Sequence, residues 1–326
     1  MVRMVKAIRI HQIGGPEVLR WEDVAIGEPG PGEVLLRHTA VGLNFIDINH
    51  RNGAYRLDSL PAVIGMEGAG VIERVGEAID GFAEGDRVTY CMALGAYRTE
   101  RIIAADRLIK LDQRTTDDTA AAVTLRGLTA HYLVRELYPI RPGDVVLVQA
   151  AAGGVGLILC QWAKHLGAVV LGTVGTEEKA ALAKSHGCDH PILYRHTDFA
   201  EAVMNLTGGT GVTVVYDAVG KDTFEKGLGV IAERGWMVVY GQASGPVPPL
   251  DTLRLAAKGI NVTRGTLNLF VHEPAYRATS AAELFGLIAD GVLKVEINQR
   301  YPLAETARAH ADLEGRKTTG STVLDP

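Results

Sequence analysis

A glycine-rich turn near the middle of the chain separates a short apolar strand from a helix, and a second apolar strand follows. Residues Val145 to Gly156 read VVLVQAAAGGVG, and residues 157–171 complete the pattern. Strand, glycine turn, helix and strand in this order are typical of the βαβ unit that binds dinucleotides. There the second glycine lets the backbone reach a diphosphate, and the third lets the helix pack on the strand. The sequence assigns these roles to Gly153 and Gly156, while Ala151 departs from the strict pattern at its first glycine.

The start of the predicted helix supplies the chemistry of a phosphate site. Backbone N–H groups at Gly154 and Val155 have no partner within the helix, and the helix dipole places partial positive charge there. A diphosphate is therefore the expected ligand of this turn. A glycine-rich turn that binds nothing stays open as the alternative.

The residues after the second strand indicate which dinucleotide binds. Residues 172–179 read GTVGTEEK, and the strand end at Gly175 lacks the carboxylate that holds the ribose hydroxyls in NAD-selective proteins. Thr176 and Lys179 can instead donate to a 2′-phosphate, and Tyr194, after the third strand, can close the same pocket. The sequence therefore predicts NADPH rather than NADH. In the alternative, Lys179 is an exposed helix lysine and Tyr194 packs on the sheet.

The pattern of apolar residues divides the chain into two kinds of structure. The first ~125 residues are short β segments separated by turn residues, which predicts an irregular β-rich domain. Apolar strands then alternate with helical patterns, which predicts a doubly wound parallel sheet. Six strands are predicted at residues 144–149, 168–173, 191–193, 212–217, 235–240 and 261–263, with helices at 155–166, 176–186, 198–206, 221–232 and 251–257. Beyond residue 266 we predict helices at 275–289 and 304–314 and a strand at 321–324.

Composition and charge exclude several classes of protein. The chain has 326 residues, 47% of them hydrophobic, and a formal net charge of −5, so it lacks the positive field that collects nucleic acid. Nucleic acid is not expected as the main partner. The uncharged stretch 145–163 is broken by the glycine turn, so we predict no membrane span. Three separated cysteines indicate no disulfide framework, and an N-terminus with frequent charges indicates a cytoplasmic protein.

The sequence lacks the motifs for hydrolysis by a serine nucleophile or for metal catalysis. The ten histidines form no HExxH pair, and no GxSxG elbow is present. We therefore expect neither a catalytic zinc ion nor a serine nucleophile.

Several short motifs, spread over essentially the full length, carry a resemblance to a known family. The motifs are Gly14-Gly-Pro-Glu-Val-Leu19, Gly42-Leu-Asn-Phe-Ile-Asp47, Leu94-Gly-Ala-Tyr97, Gly127-Leu-Thr129, Ala150–Gly156, Gly172-Thr-Val-Gly175 and Val215-Tyr-Asp-Ala-Val-Gly220. With them the chain resembles the zinc-independent, zeta-crystallin-like NADPH:quinone oxidoreductases of the medium-chain dehydrogenase/reductase superfamily. Zinc enzymes of that superfamily have a histidine ligand in the stretch Gly65–Gly70 and a cysteine ligand near Asn44. Met66 and Asn44 do not replace those ligands.

The resemblance implies a fold and a set of site residues. It implies a GroES-like substrate domain of residues 1–126 completed by 267–326, a Rossmann domain of residues 127–266, an active site in the cleft between them, and a homodimer paired through the edge strand near Ile260–Gly265. The catalytic residues it implies are Tyr55, Asn44 and Asp47. The cofactor-binding residues are Asn44, Asp47, Thr129, Gly153, Gly154, Val155, Gly156, Gly175, Thr176, Lys179, Tyr194, Val219, Gly241, Gln242, Arg264 and Arg316.

The expected reaction is hydride transfer from NADPH to a quinone without a metal. Tyr55 matches a tyrosine that lines the family's quinone pocket, and it is the candidate to position the quinone and to take part in its protonation. In the alternative, Tyr55 is an aromatic ring that only packs over the cleft. A second family tyrosine is replaced by Asn49, which bears on substrate preference. Two other functions stay open: reduction of an enoyl or alkenal C=C bond by NADPH, and NADPH sensing or RNA binding without a major catalytic role.

Overall fold

The computed structural model describes residues 3–326, which form sixteen strands and ten α-helices. The strands are β1 (Arg3–Ile10), β2 (Arg20–Ile26), β3 (Glu33–Leu43), β4 (Ala62–Val63), β5 (Glu67–Val75), β6 (Arg87–Cys91), β7 (Glu100–Ala104), β8 (Ile109–Lys110), β9 (Val145–Val148), β10 (Val169–Val174), β11 (His190–Leu193), β12 (Val212–Asp217), β13 (Ile231–Val239), β14 (Asn261–Thr263), β15 (Ile297–Pro302) and β16 (Ser321–Asp325). The helices are α1 (Phe45–Arg51), α2 (Asp117–Tyr132), α3 (Gly154–His165), α4 (Glu177–Ser185), α5 (Phe199–Leu206), α6 (Phe224–Gly229), α7 (Leu253–Ala256), α8 (Leu267–Val271), α9 (Pro274–Ala289) and α10 (Thr306–Glu314).

The first of two compact units combines segments from both ends of the chain. It contains the described residues up to Leu128 together with Val271–Ala289 and Val295–Pro326. Its larger sheet has the order β15-β16-β3-β5-β6-β8, with β7 also paired to β3, and a smaller sheet has the order β2-β1-β4. A buried cluster that includes Leu36, Tyr97 and Leu324 forms its core. This β-rich unit agrees with the GroES-like expectation.

The second unit is a parallel six-stranded sheet with helices between its strands. It contains Thr129–Phe270 and Asp290–Lys294. The strand order β11-β10-β9-β12-β13-β14 places the first strand of the unit, β9, at the point where the order reverses. This is the doubly wound order of dinucleotide-binding folds, in which ligands bind at the carboxyl ends of the strands beside that point. The predicted fold class is therefore confirmed. The assignment of substrate binding to 1–126 and 267–326, and of cofactor binding to 127–266, stays a prediction.

One predicted helix is wrong in its length. The pattern predicts a helix over 221–232, but α6 ends at Gly229 and β13 begins at Ile231. Gly227 and Gly229 are weak helix formers. Ile231 instead pairs with Val212 of β12, one residue before a register shift in that ladder. Sheet pairing therefore overrides the local helical pattern at the end of this segment.

Two further predictions concern a membrane span and disulfide bonds. Within residues 3–326, no helix is both long enough and apolar enough to cross a bilayer. The three cysteines, Cys91, Cys160 and Cys188, are buried and unpaired. Met1 and Val2 belong to the N-terminal segment that the sequence predicted to lack a signal, and they lie outside the described residues.

Candidate functional site

The turn between β9 and α3 brings strand and helix into close contact. A side chain at Gly156 would run into the carbonyl oxygen of Ala150, so only glycine permits this approach. Ala151 is fully buried, and a Cβ at Gly172 on the neighbouring strand would lie 2.6 Å from the Ala151 Cβ. The bare Gly172 therefore makes room for the alanine that replaces the first glycine of the pattern.

The N-terminus of α3 has no side-chain cap. Gly153 is the N-cap residue and no side chain there accepts a hydrogen bond, whereas Thr176 caps α4 by accepting from the Lys179 N–H at 3.3 Å. Asp198 caps α5 in the same way. An uncapped twelve-residue helix offers its first N–H groups and its dipole to an anion. The geometry at Gly153, Gly154, Val155 and Gly156 therefore suits a diphosphate.

A buried amide lies at the carboxyl end of β9. Gln149 accepts a hydrogen bond from the Thr173 hydroxyl at 2.6 Å through Oε1, and its Nε2 is buried without a hydrogen-bond partner in residues 3–326. Unsatisfied buried donors are rare in folded proteins, so this one marks a place where a ligand or water belongs.

The end of β10 forms the neighbouring part of the site. A Cβ at Gly175 would lie 3.0 Å from the Tyr194 hydroxyl and 3.6 Å from Nε of Arg195, so these side chains lie directly over the glycine. Tyr194 is 41% exposed. Thr176 and Lys179 follow in the first turn of α4. The structure thus places the phenol of Tyr194 and the guanidinium of Arg195 over Gly175, next to the start of α4, at a strand end that lacks a carboxylate.

The turn after β12 is organised by a buried carboxylate. Asp217 accepts hydrogen bonds from the N–H groups of Val219 at 2.7 Å and Gly220 at 3.0 Å, and burial raises its pKa. A side chain at Gly241 would run into the carbonyl oxygen of Ala218, so the turns after β12 and β13 contact each other through backbone.

Two further predicted cofactor residues follow β13 and β14. Arg264 is exposed, and its Nη2 lies 3.5 Å from Oε1 of Gln242. Thr129, on α2, is 8% exposed. All of these residues belong to the second unit.

In the first unit, Asn44 and Asp47 form the start of α1. The Asn44 N–H donates to Asp47 Oδ2 at 2.8 Å, and the Asn44 side-chain amide donates to Glu67 Oε2 at 2.7 Å. The Leu125 N–H donates to Glu67 Oε1 at 2.6 Å. Arg126 donates to the carbonyl oxygens of Leu43 and Ala122.

These groups lie deep in the protein, and burial dominates their titration. Asp47 and Glu67 are fully buried, and loss of hydration raises the pKa of each carboxyl to about 7. The positive charge of Arg126 opposes that rise, and in return burial lowers the pKa of Arg126. The cluster therefore contains two carboxyls that titrate near neutral pH beside one guanidinium that stays charged.

A chain of side chains continues from Asp47 to the surface. The Tyr97 hydroxyl donates to Asp47 Oδ2 at 2.8 Å and lies 3.0 Å from His310 Nε2. Arg51 Nη1 donates to His310 Nδ1 at 3.1 Å, and Arg51 Nη2 donates to Glu314 at 2.7 Å. Because an arginine only donates, His310 carries its proton on Nε2 and donates to Tyr97. The chain fixes the Asp47 carboxylate and ties α10 to α1.

Tyr55 and Arg316 are the remaining predicted site residues of the first unit. Tyr55 is half-buried, and its N–H donates to the Asn49 carbonyl oxygen at 2.9 Å. Arg316 is exposed, follows α10 and has φ +57°. Met66, where zinc enzymes have a histidine ligand, is 7% exposed. No group of three or more His, Cys, Asp or Glu side chains suited to hold a metal occurs in the part of the chain that the structure describes.

Sequence reasoning missed Glu67, Arg126, Tyr97 and Gln149. Each is polar and almost fully buried, and each has partners far away in the sequence, such as Asp47 and Tyr97 at a separation of 50. The only local signal was a charged or polar residue inside an apolar stretch, as at Glu67 in GMEGAG.

Known protein families match both parts of the chain. Residues 30–134 match the family described as alcohol dehydrogenase GroES-like domain, and residues 154–280 match the family described as zinc-binding dehydrogenase. A quinone oxidoreductase of Pseudomonas aeruginosa is 49% identical over 99% of this chain and 100% of its own. A 2-haloacrylate reductase of a Burkholderia species is 44% identical, over 99% of both chains. The crystal structure of Escherichia coli quinone oxidoreductase complexed with NADPH superposes with a TM-score of 0.96 at 43% identity, covering 98% of this chain and 100% of that one.

Proposed function

The chain belongs to the quinone oxidoreductases of the medium-chain dehydrogenase/reductase superfamily, and from this membership we propose that it is an NADPH-dependent quinone reductase. The observation that carries the proposal is the fit of the β9–α3 turn to a dinucleotide diphosphate. Its glycines permit the close strand–helix approach, and the helix N-terminus has no side-chain cap. The buried Nε2 of Gln149, which has no hydrogen-bond partner in residues 3–326, lies at the same strand end.

We propose that the residues after β10 select NADPH. Thr176, Lys179 and Tyr194 would hold the 2′-phosphate, with Gly175 leaving space for it. Val219, Gly241, Gln242 and Arg264 would line the rest of the groove, and Thr129 and Arg316 would contact the cofactor as the resemblance implies. A phosphate is best held by charge-assisted hydrogen bonds, and the strand end carries no carboxylate to repel it.

In the reaction, the protein orients the reactants. NADPH, when bound, supplies the hydride. Asn44 and Asp47, fixed by Glu67 and Tyr97, would hold the nicotinamide side of the cofactor site, and Tyr55 would position the quinone and hydrogen-bond one of its oxygens. Correct orientation of an electron-poor acceptor lowers the barrier without strong acid or base groups.

We propose that this chemistry needs no zinc. At the two positions where zinc enzymes of the superfamily have ligands, this chain has the Asn44 amide, which already donates to Glu67, and the weakly coordinating thioether of Met66.

The test is a set of initial-rate measurements on chelator-treated protein. NADPH and NADH are compared with 1,4-benzoquinone, a naphthoquinone and an enone as acceptors. We expect quinone turnover that prefers NADPH and survives chelation. Turnover that is lost on chelation and restored by zinc would overturn the metal-free proposal, and NADPH binding without any turnover would indicate a sensing role.

A second candidate is reduction of an activated C=C bond. The similarity to a 2-haloacrylate reductase over 99% of both chains favours it. In the same assay, turnover confined to the enone would replace the quinone by an alkene as the substrate.

We also propose a homodimer that pairs through β14. This strand ends the six-stranded sheet, and Val262 on it is 37% exposed. Pairing with a second copy would cover an open sheet edge.

The proposed location is the cytoplasm. Three unpaired, buried cysteines suit a reducing compartment. Fractionation with an antibody against the native chain checks this placement.

A further inference from the structure

His50 lies beside the tyrosine that we propose to position the quinone. It is the last residue but one of α1, and after the turn at Gly53, where φ is +82°, the chain folds back so that Tyr55 donates through its N–H to the Asn49 carbonyl oxygen at 2.9 Å. The rings of His50 and Tyr55 meet edge to face, with centroids 5.8 Å apart at 69°. Both side chains are half-buried. They form one patch at the end of α1.

One nitrogen of the His50 imidazole has no hydrogen bond to the rest of the fold that the structure describes. In residues 3–326 its Nδ1 is buried without a hydrogen-bond partner. Other inward-facing histidines differ: His38 contacts the Arg98 carbonyl oxygen at 2.7 Å and the Tyr90 hydroxyl at 2.8 Å, and the His310 nitrogens contact Arg51 and Tyr97. A half-buried imidazole with no hydrogen bond at Nδ1, whose ring contacts only that of Tyr55 among the aromatic rings that the structure describes, calls for an explanation.

The protonation state of the His50 ring fits a neutral hydrogen-bond donor. Burial lowers the pKa of His50, so the ring is uncharged at neutral pH and carries one N–H. Because Nδ1 is enclosed, Nε2 is the nitrogen that a ligand can reach. A quinone presents carbonyl oxygens, on which negative charge grows as electrons arrive, and a preorganised N–H donor stabilises that charge.

We propose that His50 is a substrate-binding residue that donates a hydrogen bond from Nε2–H to a carbonyl oxygen of the acceptor, beside the Tyr55 hydroxyl. This inference rests on the proposed quinone reduction. Asn49 stands where the resembling family has its second pocket tyrosine, and His50 would supply the missing polar group from the next position. The balance is simple: a hydride brings two electrons and one hydrogen, the second proton comes from water, and His50 keeps its own proton.

Three variants test the assignment. His50→Phe keeps a ring but removes the donor, His50→Gln keeps an N–H donor, and His11→Phe is the control, because His11 is an exposed histidine that pairs with Glu22. We expect kcat/KM for 1,4-benzoquinone to fall roughly tenfold in His50→Phe and to recover largely in His50→Gln, while the Kd for NADPH stays within twofold in all variants. A merely structural histidine would lower Tm without rescue of kcat/KM by glutamine.

The outcomes separate this inference from the proposed function. If the wild type reduces quinone and both His50 variants have the same kcat/KM as the wild type, the role of His50 is overturned while the proposed function stands. Absence of quinone turnover in the wild type, with NADPH bound, overturns the proposed function and this inference with it. If His50→Phe does not fold, ¹⁵N-histidine NMR of the wild type with NADP⁺ and 1,4-hydroquinone decides the matter. The Nε2 resonance, assigned by its loss in His50→Gln, must then shift on adding the hydroquinone.

Discussion

Two buried carboxyls in the first unit have pKa values far above their ordinary range. Asp47 and Glu67 are carboxyls whose pKa is raised by burial to about 7, and Arg126 is the cation that faces both. A pKa that is higher in the folded than in the unfolded chain means that the native state binds the extra proton. Stability from such a group is therefore present at low pH and is lost as the pH rises from about 4 to about 7.

The pH dependence of a Glu67→Gln variant checks this sign. Glutamine cannot accept from both the Leu125 N–H and the Asn44 amide, so we expect a loss of about 1–3 kcal/mol in the free energy of unfolding near pH 5. The loss should shrink towards pH 8, since glutamine has no charge to bury. Urea unfolding at pH 5, 6, 7 and 8 measures it, with the exposed Glu84→Gln as control. A loss that grows with pH would show that the carboxylate is favoured instead.

Lys179 determines the choice of cofactor in our proposal. Lys179→Ala should raise the KM for NADPH about 10- to 100-fold, which corresponds to one charge-assisted hydrogen bond of about 1.5–3 kcal/mol. The KM for NADH should change little. Lys184→Ala, an exposed lysine at the other end of α4, is the control. Equal effects on both cofactors would contradict a contact with the 2′-phosphate.

Residues whose proposed role is local could be inferred from the sequence. Gly156 and Lys179 belong to a strand–turn–helix pattern that a short window contains completely. The partners of Glu67 lie 23 and 58 positions away, and no local pattern reveals them. His50 illustrates the same limit, because the absence of a hydrogen-bond partner is visible only after the chain has folded.

At the scale of elements, helix contacts in the first unit depend on small residues. A Cβ at Gly127 of α2 would lie 2.5 Å from both Leu284 methyl groups of α9, whereas Gly286, also on α9, has open space around it. The GLT motif at residues 127–129 therefore has a packing reason. The sequence predicted α9 within one residue, because its apolar periodicity is long, but overextended the helix at 221–232, where strand pairing prevails.

Paired alanine substitutions test this packing. Gly127→Ala should cost about 1–3 kcal/mol, because Leu284 must leave its rotamer. Gly286→Ala should be neutral or should stabilise the protein by up to about 1 kcal/mol, since alanine is the better helix former. Thermal unfolding of both variants measures the difference. A Gly127→Ala variant as stable as Gly286→Ala would show that the leucine moves without cost.

At the scale of the whole molecule, the proposed dimer rests on the exposed strand at the edge of the sheet. Light scattering should give twice the chain mass of 34.8 kDa. Val262→Lys should shift the protein towards monomer, because antiparallel pairing would bring like charges of two copies together. Val169→Lys is the control, since Val169 is 38% exposed but lies on an interior strand of the sheet. A monomeric wild type would exclude pairing through β14.

The position of β16 has a consequence for synthesis. Its neighbours in the sheet are β15 and β3, and it pairs with β3 only at residues 41–43, since β7 already pairs with residues 33–37 of β3. That end of β3 therefore stays unpaired on one side until residues 321–325 have been made. From Leu43 to Ser321 the ribosome adds 321 − 43 = 278 residues, which takes roughly 15 to 55 s at about 5–20 residues per second. During that time the nascent chain exposes an open strand edge at residues 41–43, and a chaperone that covers such edges should associate with it until β16 has been made.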